Sequence, residues 1–281
     1  MPAVEIDGGL IEYGDTGGDG PVVVFTHGFP MSGSQWRKVV PLMAGFRCVT
    51  PTLPMGSHRH PMAEGTDLTQ LGMARIVAQL LERLDLHDVT LVMNDWGGAA
   101  FLVADGRHDR IGRLAFVACE AFDNFPPKAA RPAAALLRIP GGAWLTAQLF
   151  RTQAVRRGKR AYGAMSLTPI PDEILDEWFT PLLTDRRIRR DFAAFGSGAP
   201  PRRVLLEWSD ALAGFDKPAL VVWARQDAMM PAEHGPRLAA LLPQGRLVWV
   251  EDSATLVPED QPERLADLLR EFIGAADPSG A

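Results

Sequence analysis

Short runs of apolar residues recur along the chain and alternate with stretches that have helical periodicity. Strands that are buried on both faces of a parallel sheet require such continuous apolar runs. The predicted strands of this kind are Val22–Thr26, Arg47–Thr50, Val89–Met93, Leu114–Ala118, Ala219–Trp223 and Leu247–Val250.

Two further runs, Val4–Ile6 and Leu10–Tyr13, flank Gly8-Gly9 and predict an N-terminal hairpin. Apolar residues spaced by three and four predict helices over Ser34–Met43, Leu68–Leu84, Gly97–Asp105, Glu233–Leu242 and Pro262–Ile273. The pattern predicts an α/β fold, with a mostly parallel eight-stranded sheet flanked by helices.

One long interval breaks this alternation. About a hundred residues separate the strand that ends near Ala118 from the strand that begins near Pro218, and their pattern is helical throughout. We interpret residues 124–200 as an inserted helical cap, between a first core segment, 1–123, and a second, 201–281. Arg202–Leu212 is then the helix that leads back into the sheet.

The segment Leu91–Gly98 carries the most specific chemical signal, because a predicted strand runs directly into a predicted helix with Asp95 at the turn. A sharp strand-to-helix turn of this kind lifts one side chain above the edge of the sheet, where it is available as a nucleophile. The glycines that follow let the backbone approach closely. The alternative is that Asp95 only caps the following helix, a position that aspartate favours.

Taken together, these segments resemble the aspartate-nucleophile branch of the α/β-hydrolases, which contains haloalkane dehalogenases, epoxide hydrolases and fluoroacetate dehalogenases. Asp95–Gly98 is most similar to the D-W-G-G elbow of dehalogenases, in which the tryptophan indole helps to hold halide. Phe25–Pro30 resembles the HG-x-P loop of the superfamily. The resemblance implies that the amides of Phe29 and Trp96 form an oxyanion or halide site and that His27 is structural. It covers essentially the whole chain except the cap.

The resemblance also implies positions for a catalytic acid. Asp227 follows a predicted strand in the W-x-x-x-D position of the family, and its order after Asp95 matches the order of nucleophile and acid in this fold. Glu120, after the preceding strand, occupies the place where some haloalkane dehalogenases carry the acid. On local sequence alone, Asp227 is equally interpretable as a turn former and Glu120 as a loop residue.

The chain departs from the family at three positions. Phe29 stands where haloalkane dehalogenases usually carry an asparagine, and the cap has a single tyrosine, Tyr162, where epoxide hydrolases use two. The third departure is the catalytic histidine, which the family places after the last strand. The flanks of that motif align with residues 252–262, but Thr255 occupies the histidine position.

This third departure affects only one half of the expected reaction. An aspartate is ionised at neutral pH at its reference pKa of about 3.9, so it can attack an alkyl carbon without a base. Hydrolysis of the resulting ester requires a base, and general base catalysis typically contributes about 10²–10⁴-fold. The best candidate for a substitute is His58 or His60, because their loop follows the strand Arg47–Thr50 and lies at the same sheet edge as Asp95. The alternative is that His58 and its neighbour His60 are exposed loop residues.

Charge and composition narrow the class of partner. With a net charge of −5 the chain has no general attraction to nucleic acid, and no apolar stretch reaches the roughly 18 residues that a membrane span requires. Cys48 and Cys119 both lie in apolar runs, which indicates buried free thiols and a cytoplasmic location. We expect a small-molecule substrate and neither a metal nor another cofactor. Nothing in the sequence indicates an oligomeric state.

Three hypotheses about function follow. The leading one is a hydrolase that uses Asp95 as nucleophile on a carbon–halogen, epoxide or strained lactone bond. The second is a non-hydrolytic lyase, isomerase or cyclase, in which Asp95 moves a proton. The third is a relative that binds a small ligand without turnover; the missing histidine favours it, whereas the retained Asp95 and Asp227 count against it.

Overall fold

The structure, a computed structural model that describes residues 1–158 and 161–275, is built around one sheet. Its strands are β1 (Ala3–Ile6), β2 (Gly9–Asp15), β3 (Val22–Thr26), β4 (Arg47–Pro51), β5 (Val89–Asp95), β6 (Ile111–Cys119), β7 (Ala219–Ala224) and β8 (Gly245–Val250). They form an eight-stranded sheet in the order β1-β2-β4-β3-β5-β6-β7-β8. The strands from β4 to β8 run parallel, whereas β2 pairs antiparallel with β1 and with β4. The predicted mostly parallel sheet and its N-terminal hairpin are confirmed.

The two faces of the sheet explain the continuous apolar runs. In β5, Leu91 and Met93 belong to the core cluster on one face, whereas Val92 belongs to the cluster on the other face. Each strand residue therefore meets apolar neighbours whichever way it points. Both cysteines, Cys48 and Cys119, are free and buried, as predicted.

The helices of the core include α1 (Gln70–Arg83) between β4 and β5, and two of the predicted helices are shorter than expected. The segment predicted as the helix Ser34–Met43 forms two short 3-10 helices, Gly33–Trp36 and Val40–Leu42. Pro41, near its end, cannot donate a backbone hydrogen bond and so interrupts a continuous helix. The segment after the elbow is a 3-10 helix, Gly98–Leu102, in place of the predicted helix Gly97–Asp105.

The interval between β6 and β7 is helical, as its pattern indicated. It contains α2 (Arg131–Leu137), α3 (Gly142–Leu149), α4 (Gln153–Arg156), α5 (Asp172–Thr184), α6 (Arg186–Ser197) and α7 (Arg202–Asp210). The chain then continues through α8 (His234–Leu241), α9 (Val257–Asp260) and α10 (Pro262–Ala275). Residues of α5 and α6 form a separate apolar cluster with Met31 and Leu256 of the core, so this layer covers the carboxyl edge of the sheet. The domain bounds 124–200 and 201–281 stay a prediction, and residues 159, 160 and 276–281 lie outside the described part.

Candidate active site

Asp95 is the last residue of β5 and sits in a left-handed backbone conformation, with a φ of 61°. Few residues other than glycine adopt this region, and strain of this kind is concentrated at functional sites. The side chain is packed against Gly28, where an added Cβ would lie 2.2 Å from Asp95 Oδ1. Glycine at position 28 is therefore a steric requirement for the position of this carboxyl group.

The Asp95 carboxyl is buried, and the backbone amide of Phe29 holds it. The Phe29 amide donates to Oδ1 at 2.8 Å, and the residue is 7% exposed. Burial is the main cause that raises the pKa of Asp95 from its ordinary value of 3.8 to about 7. The Phe29 hydrogen bond opposes this rise, and the nearby Asp227 carboxylate adds to it. The predicted role of the Phe29 amide as a donor at this site is consistent with this geometry.

Asp95 opens onto a cavity of about 670 Å³ between the sheet edge and the helical layer. Its wall is mostly apolar, with contributions from Phe29, Leu137, Phe150, Phe192 and Met229. Its polar side chains are Gln70, Asp95, Glu120, Thr146 and Tyr162. No lysine, arginine or histidine among the described residues lines it. Two carboxyl groups in a wall that is otherwise mostly apolar favour a neutral, apolar ligand over an anionic one.

Glu120 is the first residue after β6, and its amide donates to the Asp95 carbonyl at 2.8 Å. Its partly exposed side chain lines the same cavity as Asp95. Burial, followed by the charge of Asp95, raises the pKa of Glu120 well above its ordinary value. Two carboxyl groups in one apolar cavity are not readily ionised together, so each disfavours the charged form of the other, and Glu120 is a candidate acid.

Thr255 and Asp227 form a hydrogen-bonded pair near Asp95. The Thr255 hydroxyl donates to Asp227 Oδ1 at 2.8 Å, and the amides of Met229 and Met230 donate to the same oxygen at 2.7 and 3.0 Å. Asp227 Oδ2 is buried and has no hydrogen-bond partner among the described residues. Burial raises the pKa of Asp227. The threonine thus keeps the hydrogen bond to the acid that the resemblance assigns to a histidine, but it supplies no base.

The histidines of the core do not replace that base. His58 is 3% exposed and does not line the cavity. Its Nε2 pairs with Asp191 Oδ2 of α6 at 3.1 Å, and its Nδ1 accepts from the Gly56 amide at 3.2 Å. This geometry gives no support to the prediction that His58 serves as a base, because Nε2 joins the core to the helical layer through Asp191 and Nδ1 accepts a hydrogen bond from within its own loop. His27 is fully buried and accepts from the Leu53 amide at 2.7 Å, in line with a structural role.

Both N–H groups of Trp96 have partners within the protein, so its predicted role as a donor to oxyanion or halide stays a prediction. Its backbone amide donates to the Asn94 carbonyl at 2.8 Å. Its indole Nε1 donates to Gln70 Oε1 at 2.7 Å, and the whole residue is buried. Sequence reasoning missed Gln70, the first residue of α1, because a glutamine at the start of an amphipathic helix carries no local signal of a site.

Two further features of the described residues bear on metal binding and on helices that could span a membrane. No group of three or more His, Cys, Asp or Glu side chains is placed there to hold a metal ion. Within residues 1–158 and 161–275, no helix combines the length and the apolarity needed to span a bilayer.

Comparison with known proteins agrees with this architecture. A family model described as the alpha/beta hydrolase fold matches residues 21–262. A haloalkane dehalogenase of Mesorhizobium japonicum is 36% identical over 139 residues, which cover 47% of this chain and 44% of that enzyme. The cis-3-alkyl-4-alkyloxetan-2-one decarboxylase of Xanthomonas campestris is 29% identical over 290 residues, 94% of this chain and 92% of that enzyme. The crystal structure of an ancestral haloalkane dehalogenase has a TM-score of 0.79 at 25% identity and covers 99% of each chain. The predicted resemblance to α/β-hydrolases and haloalkane dehalogenases is confirmed.

Proposed function

This chain belongs to the α/β-hydrolase fold family, and we propose that it acts through Asp95 as a nucleophile on a neutral, apolar small molecule. Three features support this role: the left-handed turn at Asp95, the single hydrogen bond from Phe29 to Oδ1, and the apolar cavity onto which the carboxyl opens. Attack on an alkyl carbon then forms an ester with Asp95. Because the pKa of Asp95 is about 7, a substantial fraction is ionised at neutral pH.

The way in which the ester on Asp95 can break down indicates the class of substrate. Hydrolysis needs a base and donors for the oxyanion that forms on the Asp95 carboxyl group. The base position holds Thr255, which donates to Asp227, and the Trp96 amide donates to Asn94. The base and one of the two expected oxyanion donors are thus committed elsewhere, and both serve the hydrolytic step, whereas alkylation needs only the Asp95 carboxylate and an apolar cavity. The hydrogen bond between Thr255 and Asp227 is the observation that carries the choice of a reaction whose second step needs no water.

A strained β-lactone meets this requirement. Asp95 attacks the alkyl carbon of the ring C–O bond; that bond breaks, and the ring carboxyl group is released as a carboxylate still attached to the alkyl ester. The carbon–carbon bond to this carboxylate then breaks, its electron pair forms an alkene, and the ester oxygen leaves with the pair from the C–O bond. Carbon dioxide and an alkene depart and Asp95 is recovered as a carboxylate, so neither water nor a proton is consumed.

The site suits this second step. Decarboxylation moves negative charge from the substrate back to Asp95, where the Phe29 amide is positioned to receive it at 2.8 Å. An apolar cavity favours the conversion of a carboxylate into neutral carbon dioxide. The relative from Xanthomonas campestris, whose name describes the decarboxylation of dialkyl oxetan-2-ones, matches this chain over 94% of its length. Such a reaction combines two of the hypotheses drawn from the sequence: Asp95 acts as a nucleophile, and the overall reaction is that of a lyase.

Hydrolytic dehalogenation is the second candidate, favoured by the 36% identity to a haloalkane dehalogenase over 139 residues. With a bromoalkane the bromide leaves and the ester has no carboxylate to lose. We expect this ester to accumulate on Asp95, since no histidine among the described residues lines the cavity.

The test compares a cis-3,4-dialkyl oxetan-2-one, 1-bromohexane and 1,2-epoxyhexane in water enriched in oxygen-18. Alkene and carbon dioxide from the lactone, together with a persistent alkyl adduct from the bromide, are expected. The Asp95→Asn variant, whose amide oxygen still accepts from Phe29, is expected to give neither. A β-hydroxy acid as the main product from the lactone, or steady release of alcohol from the bromide, would contradict the elimination. Ligand binding without adduct or product would contradict the nucleophile.

A further inference from the structure

Gln70 and Trp96 form a buried pair beside the nucleophile. The indole N–H of Trp96, the residue that follows Asp95, donates to Gln70 Oε1 at 2.7 Å. Trp96 is fully buried and Gln70 is 6% exposed. An indole only donates, so the oxygen of the Gln70 carboxamide must face Trp96.

The other half of the carboxamide therefore points elsewhere. None of the described residues accepts a hydrogen bond from Gln70 Nε2. This nitrogen is also not fully enclosed by protein atoms, so it borders open space. Gln70 lines the cavity together with Asp95. The amino group of Gln70 thus faces the cavity, with its two N–H donors in an orientation set by Trp96.

The other neutral polar side chains of the cavity are already engaged. The hydroxyl of Thr146 donates to the Gly142 carbonyl at 2.9 Å. The hydroxyl of Tyr162 donates to the carbonyls of Phe29 and Pro30, at 3.3 and 3.4 Å. Among the described residues that line the cavity, Gln70 is therefore the neutral side chain with uncommitted donors.

We propose that Gln70 binds the negative charge of the leaving group as the substrate alkylates Asp95, and that Trp96 is its positioning residue. This inference rests on the proposed function. For a lactone, the charge is the carboxylate released when the ring opens; for a bromoalkane, it is bromide. A neutral amide stabilises this charge less than a guanidinium does, so it does not hold a carboxylate so firmly that loss of carbon dioxide is prevented.

Glutamate at position 70 separates the two functions of the glutamine. In Gln70→Glu, a carboxylate oxygen still accepts from the Trp96 indole, whereas the donors to the cavity are lost. Trp96→Phe keeps the donors and removes only the group that orients them. Gln79→Glu is the matched control on the same helix; the side-chain oxygen of Gln79 accepts from the Asp7 amide on the surface.

The readouts are the rate of adduct formation at Asp95 with 1-bromohexane, the rate of alkene release from the oxetan-2-one, and the side-chain amide signals in a nitrogen-15 NMR spectrum. We expect Gln70→Glu to slow both reactions roughly tenfold or more, Trp96→Phe to slow them by a smaller factor, and Gln79→Glu to leave both unchanged. The side-chain amide signal of Gln70 is identified by its absence from the spectrum of Gln70→Glu. In the wild-type protein we expect this signal to shift when hexanoate, a carboxylate with an alkyl chain, is added.

Two results overturn the inference and leave the nucleophile in place. One is reaction of Gln70→Glu within twofold of the wild type; the other is a larger loss in Trp96→Phe than in Gln70→Glu, which would make the indole itself the donor. A wild-type protein that neither reacts with any of these substrates nor shifts the Gln70 amide signal with hexanoate would overturn the inference and the proposed function together. A shift without reaction would retain Gln70 as an anion-binding residue and reject the nucleophile.

Discussion

Replacement of Asp95 by asparagine is expected to stabilise the protein increasingly as pH rises. The folded protein holds a proton on Asp95 up to a pKa of about 7, whereas the unfolded chain releases it near the ordinary value of 3.8. Between these two values the folded state binds more protons, so the wild type loses stability as pH increases. Across the whole window the difference corresponds to about 4 kcal/mol, at 1.36 kcal/mol for each tenfold change in the equilibrium constant. The asparagine variant does not titrate and avoids this loss.

The assay is thermal unfolding of the wild type and Asp95→Asn at pH 5 and pH 8.5. From pH 5 to the folded pKa of about 7, the variant should gain about 3 kcal/mol relative to the wild type, or roughly 6 °C or more in the difference between melting temperatures.

Asp185→Asn is the control for this experiment. Hydrogen bonds from Arg187 lower the pKa of Asp185 to about 2, so both its folded and unfolded forms are ionised at pH 5 and at pH 8.5. Its effect on the melting temperature should be the same at both pH values. The reasoning would be refuted if the melting temperatures of the wild type and Asp95→Asn differed by the same amount at pH 5 and at pH 8.5. Such a result would mean that Asp95 is ionised at both pH values in the folded protein.

Three further predictions concern reactivity. The rate of alkylation by 1-bromohexane should rise tenfold per pH unit below a midpoint near 7 and level off above it, because the ionised form of Asp95 is the nucleophile; a pH-independent rate from 5 to 9 would contradict this. Thr255→His should place a base next to Asp227 and convert the persistent alkyl adduct into released alcohol, measured by intact mass and oxygen-18 incorporation, and an adduct of unchanged lifetime would argue against Thr255 as the missing base position. Gly28→Ala should abolish adduct formation while the chain still folds, because the new Cβ would lie 2.2 Å from Asp95 Oδ1; normal alkylation would show that the carboxyl can shift without loss.

The strands and the turn at Asp95 were predictable because their signals are local. A strand buried on both faces must be apolar at each position, and β3 begins and ends at the predicted residues, Val22 and Thr26. The turn at Asp95 likewise follows from a short contiguous motif. The helix predicted after it was less accurate, since apolar spacing does not distinguish a 3-10 segment such as Gly98–Leu102 from an α-helix.

The identity of residue 255 could be read directly from the sequence, but its consequence for the site could not. The hydrogen bond from the Thr255 hydroxyl to Asp227 spans 28 positions along the chain, and the pair between His58 and Asp191 spans 133. Packing brings these distant positions together. It therefore decides whether a polar side chain such as His58 faces the cavity or is bonded within the protein. The sequence therefore offered His58 as a base, whereas the structure engages it between the core and α6.

The sequence by itself determined the fold, the turn that carries Asp95 and the loss of the histidine, since each depends on the type of residue at a given place in a regular pattern. Only the tertiary structure decided what replaces the lost functions. It directs the indole of Trp96 to Gln70, 26 positions away, and places Asp95 and Glu120 together in the wall of one cavity. The physical reason is that hydrogen-bond partners and pKa values are set by neighbours in space, whose identity no local pattern specifies.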